Sequence, residues 1–161
     1  MHLSSFGLRT ITQFEGFRPI TYLDSAGQPT IGYGHKLQPG ENFPDGLTES
    51  QARRLLARDA ATAEQAISRF VRIPLTQGQF DALADFVFNL GARRLATSTL
   101  LHELNDGNIG AAALEFLKWD HCGTRENACL KTRREAEMRL FLQSDPATTP
   151  LSEDSPHLVP A

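Results

Sequence analysis

Glu15, Asp24 and Thr30 are the residues of this chain whose types and spacing could do chemistry: two carboxyl groups nine positions apart, then a hydroxyl six further on. Carboxyl groups in unlike surroundings can divide acid and base work between them. Glu15 ends an apolar stretch (Phe6, Leu8, Ile11, Phe14) and lies between Phe14 and Phe17, where partial withdrawal from water favours the protonated acid. Asp24 opens a turn-rich segment that closes at Thr30, and a hydrated carboxyl there stays ionised. Such a division suits cleavage of a glycosidic bond. The spacing fits a blander arrangement too, with Glu15 on a solvated helix end and Asp24 in a plain turn. With 19 acidic residues among 161, such pairs are common.

The elements that must position these groups can be read from periodicity and breakers. Residues 3–15 form a helix that Gly16 and Pro19 end, and residues 20–35 form a small hairpin turning at Ser25-Ala-Gly27. A connector rich in Pro, Gly and Asn (38–46) leads to Thr48 and Gln51, a capping box that opens a long helix to about Phe70. Phe80, Leu83, Ala84, Val87 and Phe88 make a stripe wide enough for a helix buried at the centre of a larger lobe. Helices follow at about 97–105 and 109–118, split by the turn Asn105-Asp-Gly-Asn108, and a last one runs from about Lys131 to Leu142.

Several strings stand in register along this frame. Glu15-Gly16, Tyr22-Leu-Asp24 and Thr30-Ile-Gly-Tyr-Gly-His35 come first; Gln79-Phe-Asp-Ala-Leu, Phe88-Asn-Leu-Gly91, Ser98-Thr-Leu, Leu104-Asn, Trp119 and Arg133-Arg-Glu-Ala-Glu137 follow. Together, over about residues 5–142, they resemble the phage-type lysozymes, the endolysins of glycoside hydrolase family 24. One departure is Cys129-Leu130, where the family usually carries Gly-Leu.

The resemblance implies an α+β protein, a mostly α-helical lysozyme-like fold with a small β-hairpin lobe and an active-site cleft between the lobes. It implies a muramidase that hydrolyses the β-1,4 bond between N-acetylmuramic acid and N-acetylglucosamine with inversion, using no metal and no cofactor. Glu15 would be the acid, with Asp24 and Thr30 holding the attacking water; Gly34, Lys36, Phe88, Asn89 and Thr99 would contact the glycan. Arg133 would support the acid, with its neighbour Arg134 an open alternative. A solvated helix-surface charge fits either arginine. Phe88 and Trp119 are equally readable as core residues, and His35 as a packed structural histidine.

Length and composition fit one catalytic domain at 1–142, with a β lobe at about 16–47 and a helical lobe at about 48–142 that takes in the first helix. A Pro- and Ser-rich tail, 143–161, has too little apolar content to repay its ordering and reads as flexible. The chain holds 16 basic against 19 acidic side chains, three of the latter (Asp145, Glu153, Asp154) in the tail, so it lacks the footprint of a nucleic-acid binder. No apolar run reaches the length of a membrane span or a signal peptide. The expectation is a monomer made in the cytoplasm that acts on peptidoglycan glycan strands in the wall after release, without stable membrane insertion. Cys122 and Cys129 enclose a loop that a disulfide could close, and a zinc site lacks a fourth ligand. Two other classes stay open: a peptidoglycan-binding scaffold that has lost hydrolysis, and a helical nucleic-acid binder using Arg53, Arg54, Arg58, Arg133 and Arg134.

Overall fold

A computed structural model describes residues 1–24, 26–121 and 125–143, with the backbone of Cys122. The first helix, α1 (Ser5–Glu15), is capped by Ser4, whose hydroxyl oxygen accepts from the N–H groups of Phe6 and Gly7. Ser4 is itself fixed to the larger lobe, because its backbone N–H and its hydroxyl both donate to Asp81. Glu15 is thus delivered to the end of a helix anchored at its start.

Three antiparallel strands follow, β1 (Arg18–Leu23), β2 (Pro29–Gly32) and β3 (His35–Lys36), in the order β1-β2-β3. Tyr22 and Thr30 face each other across the first pair, and Thr30 and Lys36 across the second. The predicted hairpin therefore gains a third strand. The connector packs under β1, where Leu47 N–H donates to the Pro19 carbonyl at 2.8 Å.

Thr48 and Gln51 form the expected capping box, and α2 (Glu49–Phe70) buries Ala52, Leu56, Ala60, Ala63 and Ile67 along one stripe. Its first turns join Ile11 and Tyr33 in a small apolar cluster beneath the sheet, and its last turns enter the main core. That core surrounds α3 (Gln77–Leu90), in which every residue from Gln79 to Val87 is buried. Around it stand α4 (Ala92–Ala96), α5 (Thr99–Asn105), α6 (Ile109–Glu115) with a 3₁₀ turn at Phe116–Lys118, and α7 (Ala128–Phe141).

Three local features differ from expectation. The short helix α4 was not predicted, and neither was the two-stranded ribbon of β4 (His121–Cys122) and β5 (Arg125–Glu126). The last helix begins three residues early because the Asn127 side chain accepts from Leu130 N–H at 3.1 Å and caps it there. The predicted tail from residue 144 onward and a Cys122–Cys129 bridge lie outside the described residues. No described helix is long and apolar enough to cross a membrane.

Candidate active site

Glu15 is about one-fifth exposed, and its Oε1 accepts from Arg133 Nη1 at 2.8 Å. Arg133 comes from α7 and is nearly buried; its Nε and Nη2 donate to Asp85 of α3 at 3.2 and 2.6 Å. This fork settles which arginine stands beside Glu15. Burial works against the Arg133 charge, but Asp85 and then Glu15 outweigh it, so the guanidinium is held even more firmly protonated than usual. The surroundings of Glu15 therefore differ from the apolar frame that the sequence suggests. Phe14 lies under the Arg133 guanidinium, 5.3 Å from ring centroid to carbon, while exposed Phe17 leans on Tyr33.

The hairpin brings Gly34 up to Glu15. Gly34 has φ of 84°, a left-handed conformation, and a β-carbon there would stand 3.4 Å from Glu15 Oε2. Asp24 Oδ1 accepts from the N–H groups of Ala26 and Gln28, each at 2.8 Å, and Lys36 Nζ lies 3.4 Å from Oδ2. The Gln28 N–H above all, with Ala26 and Lys36 in support, holds the Asp24 carboxyl below its usual range against a smaller opposing effect of desolvation. Thr30 is buried, and its hydroxyl donates to the Gln28 carbonyl at 3.0 Å.

A cleft of about 740 Å³ runs between the sheet and the helical lobe, with Glu15, Gly34 and Lys36 on one side and Phe88 and Asn89 of α3 on the other. Asp24 and Thr30 do not line it directly. They stand behind Lys36, through the ion pair and the β2–β3 pairing respectively. Thr99 is exposed at the start of α5 and does not line the cleft. Among the described residues no cluster of His, Cys, Asp and Glu could hold a metal ion.

Known proteins share this fold. The phage lysozyme family model matches residues 12–137. The chain belongs to the phage lysozyme family. It is 39% identical to an endolysin of Acyrthosiphon pisum secondary endosymbiont phage 1 over 88% of this chain and 98% of that protein. A crystal structure of a P22 lysozyme variant superposes with a TM-score of 0.81 at 40% identity, over 89% of this chain and 99% of that one. The muramidase domain of SpmX from Asticaccaulis excentricus gives 0.82 at 33% identity, over 89% and 100%. This lysozyme is accordingly a glycoside hydrolase of the endolysin type, and peptidoglycan is the polymer on which the family acts.

One cleft wall of the lysozyme has a polar network that sequence reasoning missed. Buried His35 meets Asp59 of α2 through Nδ1 and Glu41 of the connector through Nε2, both at 2.7 Å, and Arg58 donates to Glu41 at 2.9 Å. His35 thereby ties β3 to α2 and to the connector. The Gln38 N–H first, then His35 and Arg58, pull the Glu41 carboxyl down to about 2 against its partial desolvation. Asp85 and Glu137 also escaped notice. Asp85 had a signal, since a carboxylate inside the apolar run from Phe80 to Phe88 must find donors, which Asp81 has in Ser4 and Asp85 in Arg133.

Proposed function

We propose that the lysozyme hydrolyses the β-1,4 bond between N-acetylmuramic acid and N-acetylglucosamine with inversion, Glu15 acting as general acid and Asp24 with Thr30 positioning water. The observation that carries the reading is the Glu15 carboxyl, clamped by Arg133 at 2.8 Å and aimed at Gly34 across the cleft from Asn89. Clamping the acid fixes its free oxygen toward the glycan, which is the positioning that proton transfer needs.

Glu15 gives its proton to the glycosidic oxygen as the bond from that oxygen to the anomeric carbon breaks. Water attacks the same carbon from the opposite face and passes a proton to Asp24. The lowered proton affinity of Asp24 suits a group that must be ionised before the step begins. The Thr30 hydroxyl already donates to Gln28, so its oxygen is left to accept from the water. Inversion calls for carboxyl groups roughly 6.5–9.5 Å apart with a water between them. Gly34 and Lys36 contact the strand from the sheet side, Phe88 and Asn89 from α3, and the enzyme works as a monomer on wall glycan without a nucleic-acid partner.

Glu15→Gln tests the reading, because it keeps the shape and removes the proton. Clearing of chloroform-treated Gram-negative cells should fall by about 10²- to 10⁴-fold, with an unchanged circular dichroism spectrum. Retained lysis would remove Glu15 from the mechanism. NMR of the first-formed reducing ends should show the α-anomer; β-anomer would exclude inversion.

A further inference from the structure

Arg134 follows Arg133 in α7 but serves a different residue. It is fully buried, and its Nη2 donates to Asn89 Oδ1 at 3.0 Å and to Glu137 Oε1 at 2.7 Å. Its guanidinium stacks 5.3 Å from the centroid of Phe86. Glu137 is also fully buried, and burial first, then the neighbouring Asp85, push its carboxyl well above the usual range. Among the described residues, Arg134 Nε, Arg134 Nη1 and Glu137 Oε2 have no hydrogen-bond partner.

Stability alone is a poor account of such a pair. Buried ion pairs often do no better than well-packed apolar side chains, and buried groups left without partners are costly. What the pair does achieve is orientation. An asparagine amide can present either its oxygen or its NH₂ to a ligand, and Arg134 takes the oxygen. Asn89 lines the cleft, so its NH₂ is left as the group available to substrate.

We propose that Arg134, held by Glu137, is a positioning residue that fixes the Asn89 carboxamide as a hydrogen-bond donor to a carbonyl oxygen of the bound glycan, an acetamido group being the chemical match. α7 thus serves the cleft twice in succession, with Arg133 orienting the acid and Arg134 orienting a substrate contact. The inference rests on Asn89 contacting substrate, as proposed above.

A double-mutant cycle on soluble glycan strands prepared from peptidoglycan tests it. Asn89→Ala and Arg134→Met should each raise KM by about three- to tenfold, the range of one net hydrogen bond, with kcat within about twofold. The double variant should match the single variants, because Arg134 acts only through Asn89. Multiplying effects, or an unchanged KM in Arg134→Met beside a raised KM in Asn89→Ala, would overturn the inference. An unchanged KM in Asn89→Ala would instead remove Asn89 from the substrate contacts, and the inference with it. Should Arg134→Met not fold, the unmutated enzyme still decides. Titration with the tetramer of N-acetylglucosamine should shift the Asn89 side-chain NH₂ resonances, and resonances that stay in place while the tetramer binds would overturn the assignment.

Discussion

Removing Asp85 should unfold this lysozyme at a much lower temperature, and the size of the effect follows from what the side chain leaves behind. Asp85 is fully buried and receives two N–H···O bonds, at 3.2 and 2.6 Å, from a guanidinium that is itself only 5% exposed. Arginine cannot shed its proton to escape burial. In Asp85→Ala the cation would keep, besides the Phe14 ring, two carboxyl neighbours among the described residues: Glu15, which is partly in water, and the distant edge of Glu137 at 3.8 Å. Stranding a buried charge in this way costs about 3–5 kcal/mol. For a domain of this size that lowers the melting temperature by about 6–20 °C. Asp85→Asn keeps one acceptor oxygen and should lose about 1.5–3 kcal/mol, the worth of a hydrogen bond to a charged group. Urea denaturation at neutral pH measures both. A loss below about 1 kcal/mol in Asp85→Ala would mean that Arg133 finds water or another partner, and that the Asp85–Arg133–Glu15 chain is not what holds the acid.

Further expectations concern the sheet and its supports. Gly46 has φ of 73°, and a β-carbon there would fall 2.5 Å from the Pro19 carbonyl oxygen, so Gly46→Ala should cost about 2 kcal/mol or more in denaturant. Gly34→Ala meets less crowding but the same backbone penalty, about 1–2 kcal/mol; lytic activity should fall with it, because the added methyl group touches Glu15. The Glu41 carboxyl is depressed to about 2 in the folded chain, so the stability it contributes is complete above its unfolded value of 4.5 and is lost as pH falls from there toward 2. Glu41→Gln should accordingly flatten the acid limb of a melting-temperature profile between pH 4.5 and 2, and an unaltered limb would show that Glu41 is not linked to folding. Asp24→Asn should lower turnover while leaving binding to purified walls intact; loss of wall binding would make Asp24 a contact residue instead.

Much of the fold was legible because local chemistry and periodicity agree. Thr48 with Gln51 opens α2 as a capping box, and the stripe from Phe80 to Phe88 places α3 at the centre of the core. Of the residues that the resemblance singles out, Glu15, Gly34, Lys36, Phe88 and Asn89 line one cleft, whereas Asp24, Thr30 and Thr99 do not. What escaped were long-range ionic partners. Nothing local distinguishes Asp85 from a surface aspartate except the apolar residues around it, and Arg134 resembles any solvated arginine until α7 is laid against α3. The helix α4 and the ribbon at 121–126 are too short to show a period.

The helix α2 has a mechanical consequence. It begins under the sheet and ends in the main core, and at 22 residues it is about 33 Å long. Glu15 is moored to α3 and α7, whereas Asp24 travels with strands that His35 ties to Asp59, midway along α2. The helix that carries Glu15 and the sheet that carries Asp24 also meet on the first turns of α2, where Ile11 and Tyr33 pack against Ala52 and Leu56. A substitution at Ala52 or Leu56, which do not line the cleft, should therefore shift the helix and the sheet against each other and mistune the carboxyl separation that the proposed inversion needs.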